Sequence, residues 1–229
     1  MFNQIGGLNA IGAPLSPNQI GGESFIRHIG NDKLIFDFHE GSGTKVYDKS
    51  HCGNNGTFAA GAAAPTWQRN SLYFDGGDFI DLGSTHTLAV AKSTFLVQIK
   101  PTVLSGYHII YLLDSTPKFY INVSSYKSLF YNAQNNPEGD TAFVANVSEH
   151  RGITHDGANT KFYLNGCPDG IIANTVAVST TASQGNIGGD TGGTQNLIGI
   201  MYSFRVLDYA LSQIEIQQEY LANKFRGNN

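Results

Sequence analysis

The chain has 229 residues, of which 14% are Asp, Glu, Lys or Arg, and its formal net charge is −4. This length fits one large β domain or two small domains, but soluble domains usually carry about 25% charged residues. The absence of a Lys- and Arg-rich run argues against nucleic-acid binding, and no stretch approaches the ~20 apolar residues that cross a membrane. The low charge fits either a surface of Asn, Ser and Thr or a surface covered by neighbours in an assembly.

The first 30 residues differ from the rest of the chain. No residue from Met1 to Gly22 carries a charged side chain, and the sequence NQIGG occurs at Asn3–Gly7 and again at Asn18–Gly22. The segment lacks the basic and apolar regions of a secretory signal, so we expect a protein made in a cytoplasm. Its apolar residues, separated by Gly, Asn and Pro, cannot form a core but can lie extended along a partner. These candidate anchors are Phe2, Ile5, Leu8, Ile11, Leu15 and Ile20. We therefore predict an extended arm, residues 1–30, followed by one globular domain, residues 31–229.

After the arm, short apolar runs alternate with Gly, Asn and Asp, which predicts strands joined by turns. Asn165-Gly166 follows one such run, and Asn-Gly pairs supply the positive φ angles of tight hairpins. The predicted strands are Lys33–Phe38, Ser71–Phe74, Phe79–Leu82, Thr94–Lys100, His108–Leu113, Lys118–Val123, Thr141–Val147, Lys161–Leu164, Ile171–Val178 and Ile198–Val206. This spacing predicts an all-β, antiparallel β-sandwich.

One helix is predicted near the C-terminal end. Ser212 and Glu215 have the spacing of a capping box, in which each side chain satisfies a backbone N–H of the other residue. Leu211 and Ile216 are placed for the accompanying hydrophobic staple. Ile216 and Tyr220 then form an apolar stripe that we expect to pack on the sandwich.

Four motifs resemble one known family when they are taken in order. They are LIFDFHEGSGTKVYDKSHCGNNGTF (34–58), SLYFDGGDFIDLG (71–83), ITHDGANTKFYLNG (153–166) and IGIMYSFRVLDYALSQIEI (198–216). The chain from Leu34 to Tyr220 thereby resembles the laminin-G-like, concanavalin A-like lectin/glucanase domains. That resemblance implies a jelly-roll sandwich of two antiparallel sheets with about six or seven strands each. It implies less about function, because this fold carries lectins, adhesins, hydrolases and structural modules.

The chain departs from the family pattern at two places. Tyr202-Ser203 stands where the family often has two acidic residues. The family also has a glycine directly after the serine of its Asp-x-Ser motif, whereas His51 and Cys52 lie between Ser50 and Gly53 in this chain. Both departures weaken the inference that these loops hold a cation site like that of the family. Cys52 and Cys167 are the only cysteines and have no metal-binding spacing. Buried free thiols are the favoured interpretation, and a single disulfide is the alternative.

No residue is assigned a catalytic role. Retaining glucanases need two carboxylates about 5 Å apart, and the Glu-x-Asp-x-x-Glu strand signature of this family's hydrolases is absent. Glu215 has a capping role, and Asp78 and Asp81 would face opposite sides of a strand. The seven histidines show no metal-binding spacing, and His150 is expected to pack in the core. The sequence therefore predicts that the protein is not an enzyme.

Two kinds of binding site remain as candidates. Some family members bind calcium through loop carboxylates and carbonyls, and the resemblance makes Asp75, Asp78 and Asp190 the candidates here, although each also fits a turn. No cofactor is required beyond this candidate calcium. Glycan binding needs exposed aromatic rings with amides or carboxylates beside them. The candidates in predicted loops are Tyr107, His108, Tyr126, Asn135 and Asn136.

The leading functional hypothesis is a non-catalytic virion structural protein, such as a phage capsid decoration protein or a tail or head-fibre subunit. Its arm would anchor a lectin-like domain to protein partners in a large assembly, and the domain would cement the shell or contact host glycans. We expect a homo-oligomer without nucleic-acid or membrane partners. The first alternative is a free-standing carbohydrate-binding module or adhesin, and the second is a glycoside hydrolase.

Overall fold

The computed structural model describes residues 31–83, 92–113, 116–131, 136–175, 185–193 and 195–224. Within these residues the chain forms sixteen strands, one 3-10 turn at Gly61–Ala63 and one α-helix. In chain order the strands and the helix are β1 (Asp32–Phe36), β2 (Lys45–Val46), β3 (Gly56–Phe58), β4 (Thr66–Gln68), β5 (Ser71–Asp75), β6 (Ile80–Asp81), β7 (Ser93–Pro101), β8 (His108–Leu113), β9 (Thr116–Ile121), β10 (Lys127–Phe130), β11 (Glu138–Ala142), β12 (Glu149–His155), β13 (Asn159–Leu164), β14 (Cys167–Ala173), β15 (Gly185–Ile187), β16 (Ile198–Leu207) and α1 (Gln213–Asn223).

The strands form two antiparallel sheets. Sheet A has the order β14-β13-β12-β7-β16-β5-β4, and β1 pairs with the second half of β16. Sheet B has the order β11-β10-β9-β8-β15-β6-β3-β2. The predicted jelly-roll sandwich with one short C-terminal helix is confirmed, and each sheet has eight strands among the described residues instead of six or seven.

The main core lies between the two sheets and is rich in aromatic rings. Phe36, Phe95 and Phe162 of sheet A meet Phe119 and Phe130 of sheet B in one cluster of fully buried side chains. The predicted alternation of apolar residues along the strands places these rings on one face of each sheet. Burying each ring stabilises the fold by roughly 1.5–3 kcal/mol.

The predicted helix covers the outer face of sheet A. Ser212 accepts a hydrogen bond from the Glu215 amide, and the Glu215 carboxylate accepts one from the Ser212 amide, which confirms the capping box. Leu211 and Ile216 share a second buried cluster with Leu96 and Tyr163 on this face, which confirms the staple. The helix is therefore held by its cap and by its apolar contacts with the sheet.

Strand β12 was not predicted, because its sequence EHRGITH shows no apolar alternation. Its charged residues are instead neutralised inside the protein. Arg151 is fully buried, and its guanidinium donates to Glu149 at 2.8 Å, to Asp169 at 3.1 Å and to the carbonyls of Thr141 and Ala142. This arrangement ties β11 of sheet B to β12 and β14 of sheet A, because the arginine bonds to residues of all three strands.

The structure corrects two other expectations, adds one strand and confirms one hairpin. The predicted strand Thr141–Val147 is wrong beyond Ala142, where β11 ends, and β10 (Lys127–Phe130) was not predicted at all. The hairpin at Asn165-Gly166 is confirmed, with φ values of 50° and 79°. Cys52 and Cys167 are free thiols as predicted, but both are exposed, so the expectation that they are buried is wrong.

The predicted arm, residues 1–30, lies outside the described residues together with its candidate anchors Phe2, Ile5, Leu8, Ile11, Leu15 and Ile20. The domain boundary after residue 30 therefore stays a prediction. In the part of the chain that the structure describes, no helix is long and apolar enough to span a membrane.

Candidate functional site

The outer face of sheet B carries a row of apolar and aromatic side chains. The row crosses four strands, because Ile109 pairs with Tyr120, Tyr120 with Leu129, and Leu129 with Glu138. Paired residues share one face of a sheet, and the sequence neighbours of these residues point into the main core. Ile109 and Leu129 are at most 2% exposed and form an apolar floor.

Three tyrosines lie together on this floor, and we call Tyr107, Tyr120 and Tyr131 the tyrosine patch. The rings of Tyr107 and Tyr120 meet edge to face, with centroids 5.5 Å apart and planes at 70°. Tyr107 remains 37% exposed, whereas Tyr120 is 7% exposed. Burial, with Tyr107, Tyr131 and Glu138 nearby, raises the pKa of Tyr120 to about 12. The Tyr120 hydroxyl therefore stays protonated and remains a hydrogen-bond donor at neutral pH.

Glu138 supplies a carboxylate at the edge of the tyrosine patch. It accepts a hydrogen bond from the Asn122 side-chain amide and another, at 2.8 Å, from the Ser125 hydroxyl. Both donors lie in the turn between β9 and β10. The carboxylate is thus held in place by neighbouring side chains, as an orienting group in a binding site must be.

The five glycan candidates from the sequence have different positions. Tyr107 lies on the tyrosine patch, and Asn136 is exposed two residues before Glu138, on the connection that follows Tyr131. Asn135 lies outside the described residues.

His108 and Tyr126 do not fit the role that was predicted for them. His108 is 1% exposed in β8; its Nε2 accepts from the Ser105 amide at 3.2 Å, and its Nδ1 lies 3.1 Å from the Asn196 carbonyl oxygen. Burial lowers the pKa of this imidazole. Tyr126 is half-buried, has a φ of 52° and packs against the main core. Both residues therefore contribute to the fold, because backbone groups bind the His108 ring and core side chains pack against Tyr126.

Tyr120 and Tyr131 were not among the residues predicted from the sequence. A signal for Tyr120 was present, because in KFYI the residues Phe119 and Ile121 alternate with it and face the core. An aromatic residue on the opposite face of such a strand is a candidate for surface recognition. Tyr131 follows the unpredicted strand β10 and gave no comparable signal.

The three calcium candidates do not form one ligand group. Asp75 and Asp78 belong to one turn, where Asp78 accepts from the Asp75 amide at 2.7 Å, and burial raises the pKa of the Asp78 carboxyl. Asn196 links this turn to the Asp190 loop, since its side chain bonds to the Asp190 amide and the Asp78 carbonyl. Among the described residues, no three His, Cys, Asp or Glu side chains converge on one point. One oxygen of Asp78 is an acceptor in the turn, whereas Oδ1 of Asp78 and Oδ1 of Asp190 are buried and have no hydrogen-bond partner among the described residues.

Glu138 and Asp81, two carboxylates of sheet B, are far apart. Glu138 lies on β11 and Asp81 on β6, five strand spacings away in the sheet. At about 4.8 Å a spacing this separation is roughly 24 Å, whereas the carboxylates of glycosidases lie about 5–9.5 Å apart. In the first family motif, the Asp48 carboxylate accepts from the amides of Ile35 and Asn54. That carboxylate is therefore engaged in holding its own loop.

The sequence and the fold were compared with known proteins. Residues 74–217 match a laminin-G-type family model described as "Concanavalin A-like lectin/glucanases superfamily". A search of curated proteins finds no match to the chain.

Several solved structures share the fold at low sequence identity. Domain 4 of the arabinanase AbnA from Geobacillus stearothermophilus, in complex with arabinotriose, is 15% identical with a TM-score of 0.65, over 83% of this chain and 98% of that one. The Trypanosoma rangeli sialidase in complex with sialic acid is 16% identical with a TM-score of 0.67, over 96% of this chain and 37% of that one. The ligand-binding domain of botulinum neurotoxin serotype D, in complex with N-acetylneuraminic acid, is 14% identical with a TM-score of 0.60, over 83% of this chain and 50% of that one. The chain thus spans about a third of the sialidase and half of the toxin domain.

Proposed function

Because the chain belongs to the concanavalin A-like lectin/glucanase superfamily, we propose that it is a non-catalytic carbohydrate-binding protein whose sugar site is the tyrosine patch. The observation that carries this proposal is the Tyr107 ring, which is 37% exposed and held edge to face against Tyr120. A ring fixed in this way keeps a face free for the C–H face of a sugar at little cost in side-chain entropy.

The surroundings of Tyr107 supply the polar contacts that a sugar needs. The Tyr120 hydroxyl is a donor at neutral pH, and the Glu138 carboxylate, already held by Asn122 and Ser125, retains acceptor capacity. Asn136 offers an exposed amide near the same edge. The similar structures in complex with arabinotriose, sialic acid and N-acetylneuraminic acid support a sugar as the ligand class.

A glycan array followed by calorimetric titration of the strongest glycan tests the proposal. We expect Tyr107→Ala to weaken binding at least tenfold and Tyr107→Phe to weaken it less than threefold, because stacking survives without the hydroxyl. Tyr47→Ala is the matched control, since Tyr47 is 55% exposed and lies outside the tyrosine patch. Equal losses from Tyr107→Ala and Tyr47→Ala, or binding that survives Tyr107→Ala unchanged, would refute this site.

The rival hydrolase hypothesis makes a separate prediction. The roughly 24 Å between Glu138 and Asp81 is too long for this pair to act as the two carboxylates of a glycosidase. Incubation of the bound glycan with the protein is therefore expected to release no reducing ends. Turnover that disappears in Glu138→Gln would overturn the non-catalytic assignment.

The finer proposal is that residues 1–22 anchor this domain to a virion shell or tail, as a decoration protein or fibre subunit. It is supported by residues 1–22, which carry no charged side chain and have spaced apolar residues. A protein lacking residues 1–22 is expected to bind the same glycans but to separate from virus particles in a density gradient. If the shortened protein still sediments with particles, the arm is not the anchor; if the full-length protein does not sediment with particles either, the alternative of a free-standing adhesin gains support.

A further inference from the structure

Glu138, at the edge of the tyrosine patch, is a charged group whose two hydrogen-bond partners are neutral. One carboxylate oxygen accepts from the Asn122 side-chain amide, and the other accepts from the Ser125 hydroxyl at 2.8 Å. Neither donor carries a positive charge, and the ion pairs among the described residues do not include Glu138. The carboxylate is therefore held in position without being neutralised by a described residue.

The Glu138 carboxylate faces outward and acts on the tyrosine patch. A Cβ added at Gly139 would lie 3.3 Å from the Cβ of Phe162, a core residue, so Gly139 faces the core and Glu138 faces the opposite side. Two strand spacings, about 9.6 Å, separate the backbones of Glu138 and Tyr120. Their side chains cover part of this gap, because Glu138 is one of the groups that raise the pKa of Tyr120.

The described residues around this carboxylate add no compensating cation. The other groups that raise the pKa of Tyr120 are the phenols of Tyr107 and Tyr131. Asp140, two residues after Glu138, is exposed and is a second carboxylate on β11. Lys127 on the neighbouring strand β10 forms no ion pair with either carboxylate. The edge of the tyrosine patch is thus negatively charged.

A fixed negative charge beside a sugar site discriminates between classes of sugar. A sugar that carries a carboxylate would bring a second negative charge towards Glu138, and like charges placed together weaken an association. An uncharged sugar meets no such repulsion, and its hydroxyl groups can donate strong hydrogen bonds to the carboxylate. One residue can therefore favour one ligand class and oppose the other, which is how many specific sites achieve selectivity.

We propose that Glu138 makes the tyrosine patch selective for uncharged glycans and excludes glycans whose contacting sugar is acidic, such as a sialic acid or a uronic acid. This inference rests on the proposed function, because it concerns the same site. Glu138 is the specificity-determining residue, whereas Tyr107 supplies the stacking surface that both sugar classes would share.

Titration of the full-length protein with matched pairs of glycans tests the proposal. One pair is a galactose-terminated oligosaccharide with and without a terminal sialic acid, and the other is a xylo-oligosaccharide with and without a glucuronic acid branch. We expect the acidic member of a pair to bind roughly tenfold more weakly than the neutral member. Raising the salt concentration from about 0.05 M to about 0.5 M should narrow this ratio, because salt screens the repulsion.

Glu138→Gln removes the charge and keeps the shape of the side chain. In this variant we expect the acidic member to bind within about threefold of the neutral member, because the repulsion is gone. Asp81→Asn is the matched control, since it removes a carboxylate of the same sheet roughly 24 Å away. It should leave the ratio between the two members unchanged.

The outcomes separate this inference from the proposed function. If neither member of any pair binds, both are refuted. If a neutral member binds through Tyr107 and its acidic partner binds equally well, the sugar site stands and the role of Glu138 is refuted. A preference for neutral glycans that persists unchanged in Glu138→Gln refutes that role as well. Tighter binding of acidic members that is lost in Lys118→Gln or Lys127→Gln would assign the selection to a lysine instead.

Discussion

His150 gives the sharpest prediction about stability, because it is a titratable group enclosed by apolar surroundings. It is the second residue of β12, is 1% exposed and packs against Tyr220 of the helix with ring centroids 5.9 Å apart. Its Nδ1 has no hydrogen-bond partner among the described residues. Burial lowers the pKa of this imidazole from 6.5 to about 4. The folded protein therefore holds His150 neutral at pH values where the unfolded chain would be protonated.

The size of the effect follows from linkage. Because the folded pKa is below the unfolded pKa, the unfolded state binds more protons between pH 6.5 and 4, and stability falls as the pH falls through that window. Each pH unit well inside the window costs about 1.4 kcal/mol. Lowering the pH from 7 to 5 is thus expected to remove about 2 kcal/mol through His150 alone. That loss is a large part of a typical stability of about 5–15 kcal/mol.

Urea unfolding at pH 7 and pH 5 measures this loss in the protein and in His150→Phe. The variant keeps an aromatic ring beside Tyr220 but cannot titrate, so its free energy of unfolding should fall by about 2 kcal/mol less over the same interval. Asp78 and Glu149 have pKa values raised by burial and act in the opposite direction, but they are common to both proteins. His51→Gln at an exposed site is the control and should behave as the parent. An equal loss in parent and His150→Phe would refute the reasoning.

Three further predictions concern the fold, and urea unfolding at pH 7 checks each of them. Arg151→Met leaves buried carboxylates unpaired and should cost about 3–5 kcal/mol, whereas Lys161→Met removes an exposed ion pair and should cost at most about 1 kcal/mol; equal costs would contradict the role of the buried arginine. Ser212→Ala removes the helix cap and should cost about 1 kcal/mol, and an unchanged stability would show that the cap is dispensable. Gly188→Ala adds a Cβ only 2.2 Å from the Phe74 ring at a φ of +84°, so a loss of about 2–3 kcal/mol is expected; tolerance of the alanine would mean that the loop moves freely.

Only part of the candidate site was predicted from the sequence. Tyr107 was selected because it is an aromatic residue in a predicted loop, and it lies on the tyrosine patch. Tyr120 was missed although the alternation in KFYI places it on the face opposite Phe119 and Ile121. Its neighbours on that face are set by the pairing of β9 with β8 and β10, which are contacts between strands. His108 and Tyr126 were assigned to a surface from the same loop prediction, but backbone groups and the core occupy their contacts.

Features that depend on residues close together in the chain could be predicted from local patterns. The Asn165-Gly166 hairpin needs positive φ values that this pair adopts readily, and the Ser212–Glu215 capping box closes within four residues. Four motifs in order also carry the family resemblance that implies the jelly-roll fold, whereas the alternation along the strands predicts only a β-sandwich.

Features that depend on residues far apart in the chain became visible only in the folded protein. Arg151 makes β12 a central, fully buried strand, although its sequence is polar, because carboxylates and carbonyls from two other strands surround the guanidinium. The pKa of His150 is set by the helix and sheet that enclose it. Burial and ion pairing depend on which residues meet in space, and local sequence patterns do not specify those contacts.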